Sequence, residues 1–327
     1  MSGLGLTFLR RAGQAHPTAG SSYIKFADDK VLAVLISRGV SSDGVGITRD
    51  DARNLQSIGN WFQGNNEITS FEEFQYFDNI TSLSDRAFNG CSALTTIAFP
   101  SSLRTIGSLC FYQSGIVGHI DLEEVYQLNN GAFNSGKLSS LNAPQLSIIG
   151  ESSFNGCSQL TRVNIPNATQ IGAYAFYNCT SLTEAEFGAQ VTAIGIKAFL
   201  SSLLGGELHL PLLQTIESGA FGSTKVTLLD APNLQIIKDS VFNGCSLLQT
   251  AYIPSVTQIE AYAFYRCTNL TAVVIDQETP PSVTENSFGG ISNLRIYVPD
   301  SVVDTYKAAT GWSTYANMIY PRSQYNG

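Results

Sequence analysis

Phenylalanine returns along this chain about every 22 residues, and no other feature of the sequence restricts the fold so strongly. Phe62, Phe88, Phe111, Phe133, Phe154, Phe176, Phe199, Phe221, Phe242, Phe264 and Phe288 are separated by 26, 23, 22, 21, 22, 23, 22, 21, 22 and 24 residues. An aliphatic residue stands five positions before nearly every one: Leu83, Ile106, Leu128, Ile149, Ile171, Ile194, Ile216, Ile237, Ile259 and Val283. The first frame departs, with Ile58 four positions before Phe62. After the Phe comes a short alternating segment that often ends at proline, as in Leu94–Pro100, Leu160–Pro166 and Leu248–Pro254. Alternation followed by a breaker is the pattern of a half-buried strand. Strands recurring at one frame position stack in parallel, about 4.8 Å apart, into a solenoid whose rungs contact only their neighbours. One rung cannot fold alone. Its few inward side chains, at roughly 1.5–3 kcal/mol each, do not offset the ordering of about 22 residues at about 1–2 kcal/mol each. The pattern therefore predicts one long parallel sheet.

The frame is clearest in Ile171-Gly172-Ala173-Tyr174-Ala175-Phe176-Tyr177-Asn178-Cys179-Thr180-Ser181-Leu182. It resembles the BspA-like leucine-rich repeats of Bacteroides-type bacteria and their phages, whose pattern reads L-x-x-I-x-x-x-A-F-x-x-C-x-x-L-x-x-I-x-I-P. The resemblance spans Gln56 to Pro299 in eleven copies. It implies a β-rich leucine-rich-repeat solenoid of parallel stacked strands, with a small helical N-terminal cap and a C-terminal cap. The organisation it suggests is an anchor arm and linker over 1–22, a helical cap over 23–60, the solenoid over 61–299, and a C-terminal cap and tail over 300–327. The caps also have a physical basis. Asp28 or Asp29 can cap a helix carrying Val31, Val34, Leu35 and Arg38, and Thr48 with Asp51 forms a capping box for a second helix ending near Ser57. Val302, Val303 and Tyr306 lie one turn apart, Trp312 and Ile319 can cover the last rung, and Pro321 onward reads as a frayed tail.

Composition removes several functions. Hydrophobic residues are 43% and charged ones 13% of the 327 residues, which excludes a disordered chain. A net charge of -8 gives no general attraction for nucleic acid. Cys91, Cys157, Cys179, Cys245 and Cys267 each stand three after a frame Phe, and Cys110 just before one. That placement reads as buried free thiols rather than zinc ligands, with Cys157/Cys179 and Cys245/Cys267 the pairs near enough for a disulfide. The loop 41–51 sits where related caps carry an EF-hand-like loop, but only Asp43 supplies a carboxylate before Gly46, so neither calcium nor any other metal or cofactor is expected. The longest aliphatic run, Val31 to Ile36, is too short to span a membrane. The apolar stretch Leu4 to Leu9 precedes Arg10 and Arg11, the wrong order for a secretion signal.

His16, His119 and His209 are the three histidines, and His119 and His209 lie four rungs, or about 19 Å, apart. They cannot share a metal or a triad. An enzyme using His209 with Glu186 or Asp230 is a distant alternative, and the chain reads as non-enzymatic. The outward strand positions form two columns, Ala98, Asp121, Asn142, Asn164, Glu186, His209, Asp230, Tyr252, Val274 and Thr96, His119, Ser140, Arg162, Glu184, Glu207, Leu228, Thr250, Ala272. Their acidic, amide-rich centre, Asp121, Asn142, Asn164, Glu184, Glu186, Glu207, His209 and Asp230, is the candidate face for a host surface protein or glycan. Leu4, Leu6, Phe8, Leu9, Arg10 and Arg11 form a candidate assembly anchor to other virion or surface proteins. The expectation is a binding or display protein, a decoration, fibre or tail component of a phage virion, or alternatively a bacterial surface adhesin of the BspA type. Its place would be a virion or extracellular surface rather than the cytoplasm.

Overall fold

A computed structural model describes residues 22–284 and 286–326 of the chain. The parallel solenoid of about 22-residue rungs forms as the periodicity predicts. Its core is a single column of phenylalanine rings. From Phe62 to Phe288 each ring stacks on the next, with centroids from 5.0 Å (Phe111–Phe133) to 5.6 Å (Phe221–Phe242) apart and nearly parallel planes. Every frame ring is buried. Backbone bonds run beside the column: Phe154 N donates to Ala175 O at 2.8 Å and Phe176 N to Ala198 O at 2.7 Å. The residue two after each frame Phe has positive φ, from 54° at Gln113 to 79° at Gly290. This left-handed turn favours glycine, yet Ser, Asn, Gln and Arg occupy about half the rungs, so rung-to-rung bonding outweighs a cost of about 1–2 kcal/mol.

Two strand ladders flank the column. The aliphatic residues five before each Phe build a narrow ladder of ten two-residue strands, from Ser82–Leu83 to Ser282–Val283. The segments after the Phe build the wider ladder. It is not the single sheet expected: it divides into a pair (Ser70–Phe71 and Thr96–Ile97), a four-stranded sheet from Val117–Asp121 to Glu184–Phe187, and a six-stranded sheet from Gly205–His209 to Ile319–Pro321. At each division a phenylalanine occupies the strand-end position that elsewhere holds Ile165, Leu210 or Ile253. Phe99 meets the frame ring Phe111 edge-on at 5.8 Å, and Phe187 meets Phe199 at 5.6 Å. At both divisions, then, a ring at the strand end packs against the frame phenylalanine of the next rung, in an interval one residue longer than the 22-residue rung.

The caps seal both ends of the ring column. Helix α1 (Asp29–Ser37) buries Val31 and Leu35, and its N-cap Asp28 also accepts the Thr69 N–H at 2.6 Å, tying cap to solenoid. Helix α2 (Arg49–Asn54) has the expected Thr48–Asp51 capping box, though it ends at Asn54 rather than near Ser57. At the other end α3 (Val303–Ala308) brings in Tyr306. Trp312 and Tyr315 lie 6.4 and 5.3 Å from Phe288. The frayed tail expected from Pro321 is instead fastened. Tyr320 pairs with Tyr297 in the sheet, Arg322 Nε reaches Asp276 at 3.2 Å, Asp300 accepts the Ser323 N–H at 2.9 Å, and the Tyr325 ring lies 5.1 Å from Tyr297. The next strand's backbone edge and a waiting aromatic surface supply what a tail in water would lack.

A longer period underlies the short one. Ala173-Tyr174-Ala175-Phe176-Tyr177 returns 88 residues later as Ala261-Tyr262-Ala263-Phe264-Tyr265, and Asn155-Gly156-Cys157-Ser158 as Asn243-Gly244-Cys245-Ser246. The wedges Phe99 and Phe187 are likewise 88 residues apart. The structural unit is four rungs long, and each copy begins at an opening in the ladder.

Candidate functional site

Alternation along each strand and parallel pairing between rungs put the predicted columns in register. Asp121 faces Asn142, Asn142 faces Asn164 and Asn164 faces Glu186 across the four-stranded sheet; His209 faces Asp230 in the six-stranded one. Asn164 Nδ2 donates to Asn142 Oδ1 at 2.8 Å, and Asn142 Nδ2 donates to Asp121 Oδ1 at 3.0 Å. His119 Nε2 lies 3.1 Å from the same Asp121 oxygen, and its Nδ1 lies 2.8 Å from Ser140 Oγ. The Asn142 amide, then the His119 imidazole, hold Asp121 below the usual carboxylate range. In the adjoining rungs Arg162 reaches Glu184 at 3.4 Å and Glu186 at 3.8 Å.

The ladder opening separates the last group from these. His209 Nε2 lies 3.0 Å from Glu207 and Nδ1 lies 3.3 Å from Asp230; these two carboxylates, Glu207 first, raise its pKa. The pairing of His209 with Asp230 thus forms. Glu186 is drawn to Arg162 instead, because its own strand is paired with that of Arg162 and unpaired on the His209 side. Arg162, Ser140 and His119 stood in the columns but outside the candidate set. The alternation rule, combined with one rung step, places Arg162 opposite Glu184, from where its guanidinium also reaches Glu186, and could have found it.

Ser140, His119 and Asp121 have the connectivity of a catalytic triad. Their setting differs from one: the His119 and Asp121 side chains are 52% and 53% exposed, and the serine sits mid-strand on an open face. Triads work where water is excluded and an oxyanion is met by oriented donors.

The C-terminal end of the face is closed. Ala272, Val274 and Tyr297 are buried under Tyr252, Tyr320 and Tyr325, so the columns are covered at Ala272 and Val274 instead of continuing as exposed positions. The cysteines follow their frame position. The thiols of Cys91, Cys157, Cys179, Cys245 and Cys267 each donate to the carbonyl of the frame Phe one rung back, at 2.9–3.1 Å. Burial pushes Cys91 and Cys157 up to about 12 and Cys245 to about 11. In the loop 41–51, Asp43 accepts from the Tyr23 hydroxyl, from Val45 N at 2.8 Å and from Ser41 Oγ at 3.0 Å, and these bonds lower it to about 2. The proposed anchor residues Leu4, Leu6, Phe8, Leu9, Arg10 and Arg11 lie outside the described residues.

Stacked phenylalanine rungs with one strand ladder displayed to solvent define a leucine-rich-repeat solenoid. The family model for the BspA type leucine rich repeat region matches residues 56–167, 126–233 and 214–310. The chain belongs to that family. A comparison with curated proteins finds no match. Among solved structures, the chain is similar to a leucine-rich repeat protein of T. pallidum, at 23% identity over 46% of this chain and 77% of that one, with a TM-score of 0.41. It is also similar to a leucine-rich repeat protein of Bacteroides ovatus, at 21% identity over 70% of this chain and 57% of that one, with a TM-score of 0.45. A leucine rich cell surface protein of Faecalibacterium prausnitzii matches at 17% identity over 76% and 85%, with a TM-score of 0.34. No helix among the described residues is long and apolar enough to cross a membrane.

Proposed function

We propose that this protein is a non-catalytic recognition module that binds its partner across the open sheet face between His119 and Asp230. The observation that carries this reading is the bonded chain from Asn164 through Asn142 and Asp121 to His119, continued by Arg162 with Glu184 and Glu186. Polar side chains held in fixed positions have less freedom to lose when a partner docks, which is how preorganised surfaces gain affinity. A protein or glycan on a host surface suits such an extended area. Family membership supports display on a bacterial surface in the manner of an adhesin. The virion setting rests on the arm at 4–11, outside the described residues.

The test is a panel of immobilised surface proteins and glycans probed with wild type and with the variant Glu184→Ser, Glu186→Ser, Glu207→Ser. The expected result is a target bound by wild type and bound at least tenfold more weakly by the variant, whose melt stays within about 0.5 kcal/mol of wild type. Full retention of binding by the variant would remove the face from consideration. Hydrolysis of p-nitrophenyl acetate that disappears in Ser140→Ala would overturn the non-catalytic reading.

A further inference from the structure

The aromatic cover at the C-terminal end of the sheet leaves an open cleft beside it. Its volume is about 730 Å³, within the roughly 300–1,000 Å³ of small-ligand pockets. Parallel pairing sets Arg295 one rung after Ala272 in the second outward column and Tyr320 one rung after Tyr297 in the first, and both line the cleft. The Arg295 guanidinium lies 5.3 Å from the centre of the Tyr320 ring, whose negative face steadies it. Arg53, Arg104, Arg162 and Arg322 each meet a carboxylate; among the described residues Arg295 meets none, and no acidic side chain lines the cleft.

In a chain of 26 acidic and 18 basic residues this is a local reversal of charge. The nearest acid in the columns is Asp230, three rungs back, with Tyr252, Val274, Thr250 and Ala272 between. At about 4.8 Å per rung that distance is about 14 Å, beyond the Debye length of about 8 Å at physiological salt. Asp276, which follows the neighbouring strand, is engaged by Arg322 at 3.2 Å. The remaining lining is neutral. Ser292, Asn293 and Asn317 are exposed, and their side chains have no hydrogen-bond partner among the described residues; Met318 adds apolar surface.

A guanidinium presents a planar fork that a carboxylate fills with two parallel bonds, and one held against a ring loses little freedom in doing so. One cation balances one negative charge, so a singly charged anion matches this cleft better than a phosphate. Two amides and a hydroxyl match the hydroxyls of a sugar, and Met318 suits its C–H face. We infer that the cleft binds the carboxylate of an acidic sugar, a uronic or sialic acid, within a glycan whose hydroxyls meet Ser292, Asn293 and Asn317. The site lies outside the stretch from His119 to Asp230 and does not depend on the reading of that stretch as the partner surface.

The probes are trigalacturonate and its methyl ester, 3′-sialyllactose and lactose, and an acetylated peptide Gly-Ser-Thr-Ser-Gly with a free C-terminal carboxylate. Each is titrated against the full chain by ligand-observed nuclear magnetic resonance at about 0.15 M salt. An acidic sugar should bind at least about fivefold more tightly than its neutral counterpart, and Arg295→Gln should weaken it at least about tenfold, as loss of charged hydrogen bonds requires. Arg295→Lys, which keeps the charge without the fork, should recover only part of the affinity. Asn317→Ala should weaken both members of a pair and keep the preference for the acid. These exposed substitutions should leave the melting temperature unchanged. The variant Glu184→Ser, Glu186→Ser, Glu207→Ser should bind the sugar as wild type does, which separates this site from the central face. Binding of neither acidic sugar, equal binding of acid and neutral forms, tighter binding of the peptide, or indifference to Arg295→Gln would overturn the site.

Discussion

Replacing Phe176 by alanine probes the one interaction on which every rung depends. The ring is fully buried and stacks on Phe154 at 5.2 Å and on Phe199 at 5.1 Å. Core Phe→Ala changes cost about 3–5 kcal/mol, depending on how far the site collapses. Collapse here is opposed on both sides, because Phe154 N and Phe176 N are bonded to the following rungs at 2.8 and 2.7 Å. Two stacked pairs, each worth about 0.5–1.5 kcal/mol beyond area, are lost as well. The expected cost is therefore at the upper end, about 4–5 kcal/mol. In a solenoid that loss falls on one rung and its two interfaces, so cooperativity should weaken at mid-array. The two tryptophans make this visible. Trp61 lies at the N-terminal end beneath Arg38, and Trp312 is buried in the C-terminal cap. Urea unfolding followed by tryptophan fluorescence and by far-ultraviolet circular dichroism should coincide more closely in wild type than in Phe176→Ala. A loss below about 1 kcal/mol, with coincident transitions, would refute the claim that the ring column carries the fold.

Two further outcomes follow from the same geometry. All six thiols should resist a thiol-reactive dye in the native state and react together on denaturation, since burial suppresses the thiolate that attacks; rapid native labelling, or a Cys157–Cys179 bridge in non-reducing mass spectrometry, would contradict this. His209 should titrate above 6.5 by nuclear magnetic resonance, and Glu207→Gln should bring it down. Because its folded pKa is raised, the stability it contributes is fully present below about pH 6.5 and is lost as pH rises through the folded value. An unshifted His209 would show that the contacts with Glu207 and Asp230 do not persist in solution.

The periodicity of one residue type was enough to fix the parallel solenoid, the inward phenylalanines, the buried cysteines and the pairing partners along the face. The reason is that a repeat of nearly constant length leaves one way to stack, and alternation then decides which side each residue faces. Asp121 opposite Asn142 and His209 opposite Asp230 follow from counting. Local capping chemistry made Asp28 and the Thr48–Asp51 box legible too, because both act within three residues. The divided ladder was not legible. Phe99 and Phe187 fit the apolar pattern as well as Ile165 does, and only the assembled rungs show the ladder parting beside them, where they meet Phe111 and Phe199. Glu186 likewise turns to Arg162 and not to His209 because of that division. The tail was misjudged for a related reason: Tyr320 and Tyr325 carry no helical or repeat signal, and what orders them is the edge and aromatic surface left by Tyr297. Register is a property of spacing along the chain, whereas closure, covering and opening depend on volumes that meet only when distant rungs are brought together.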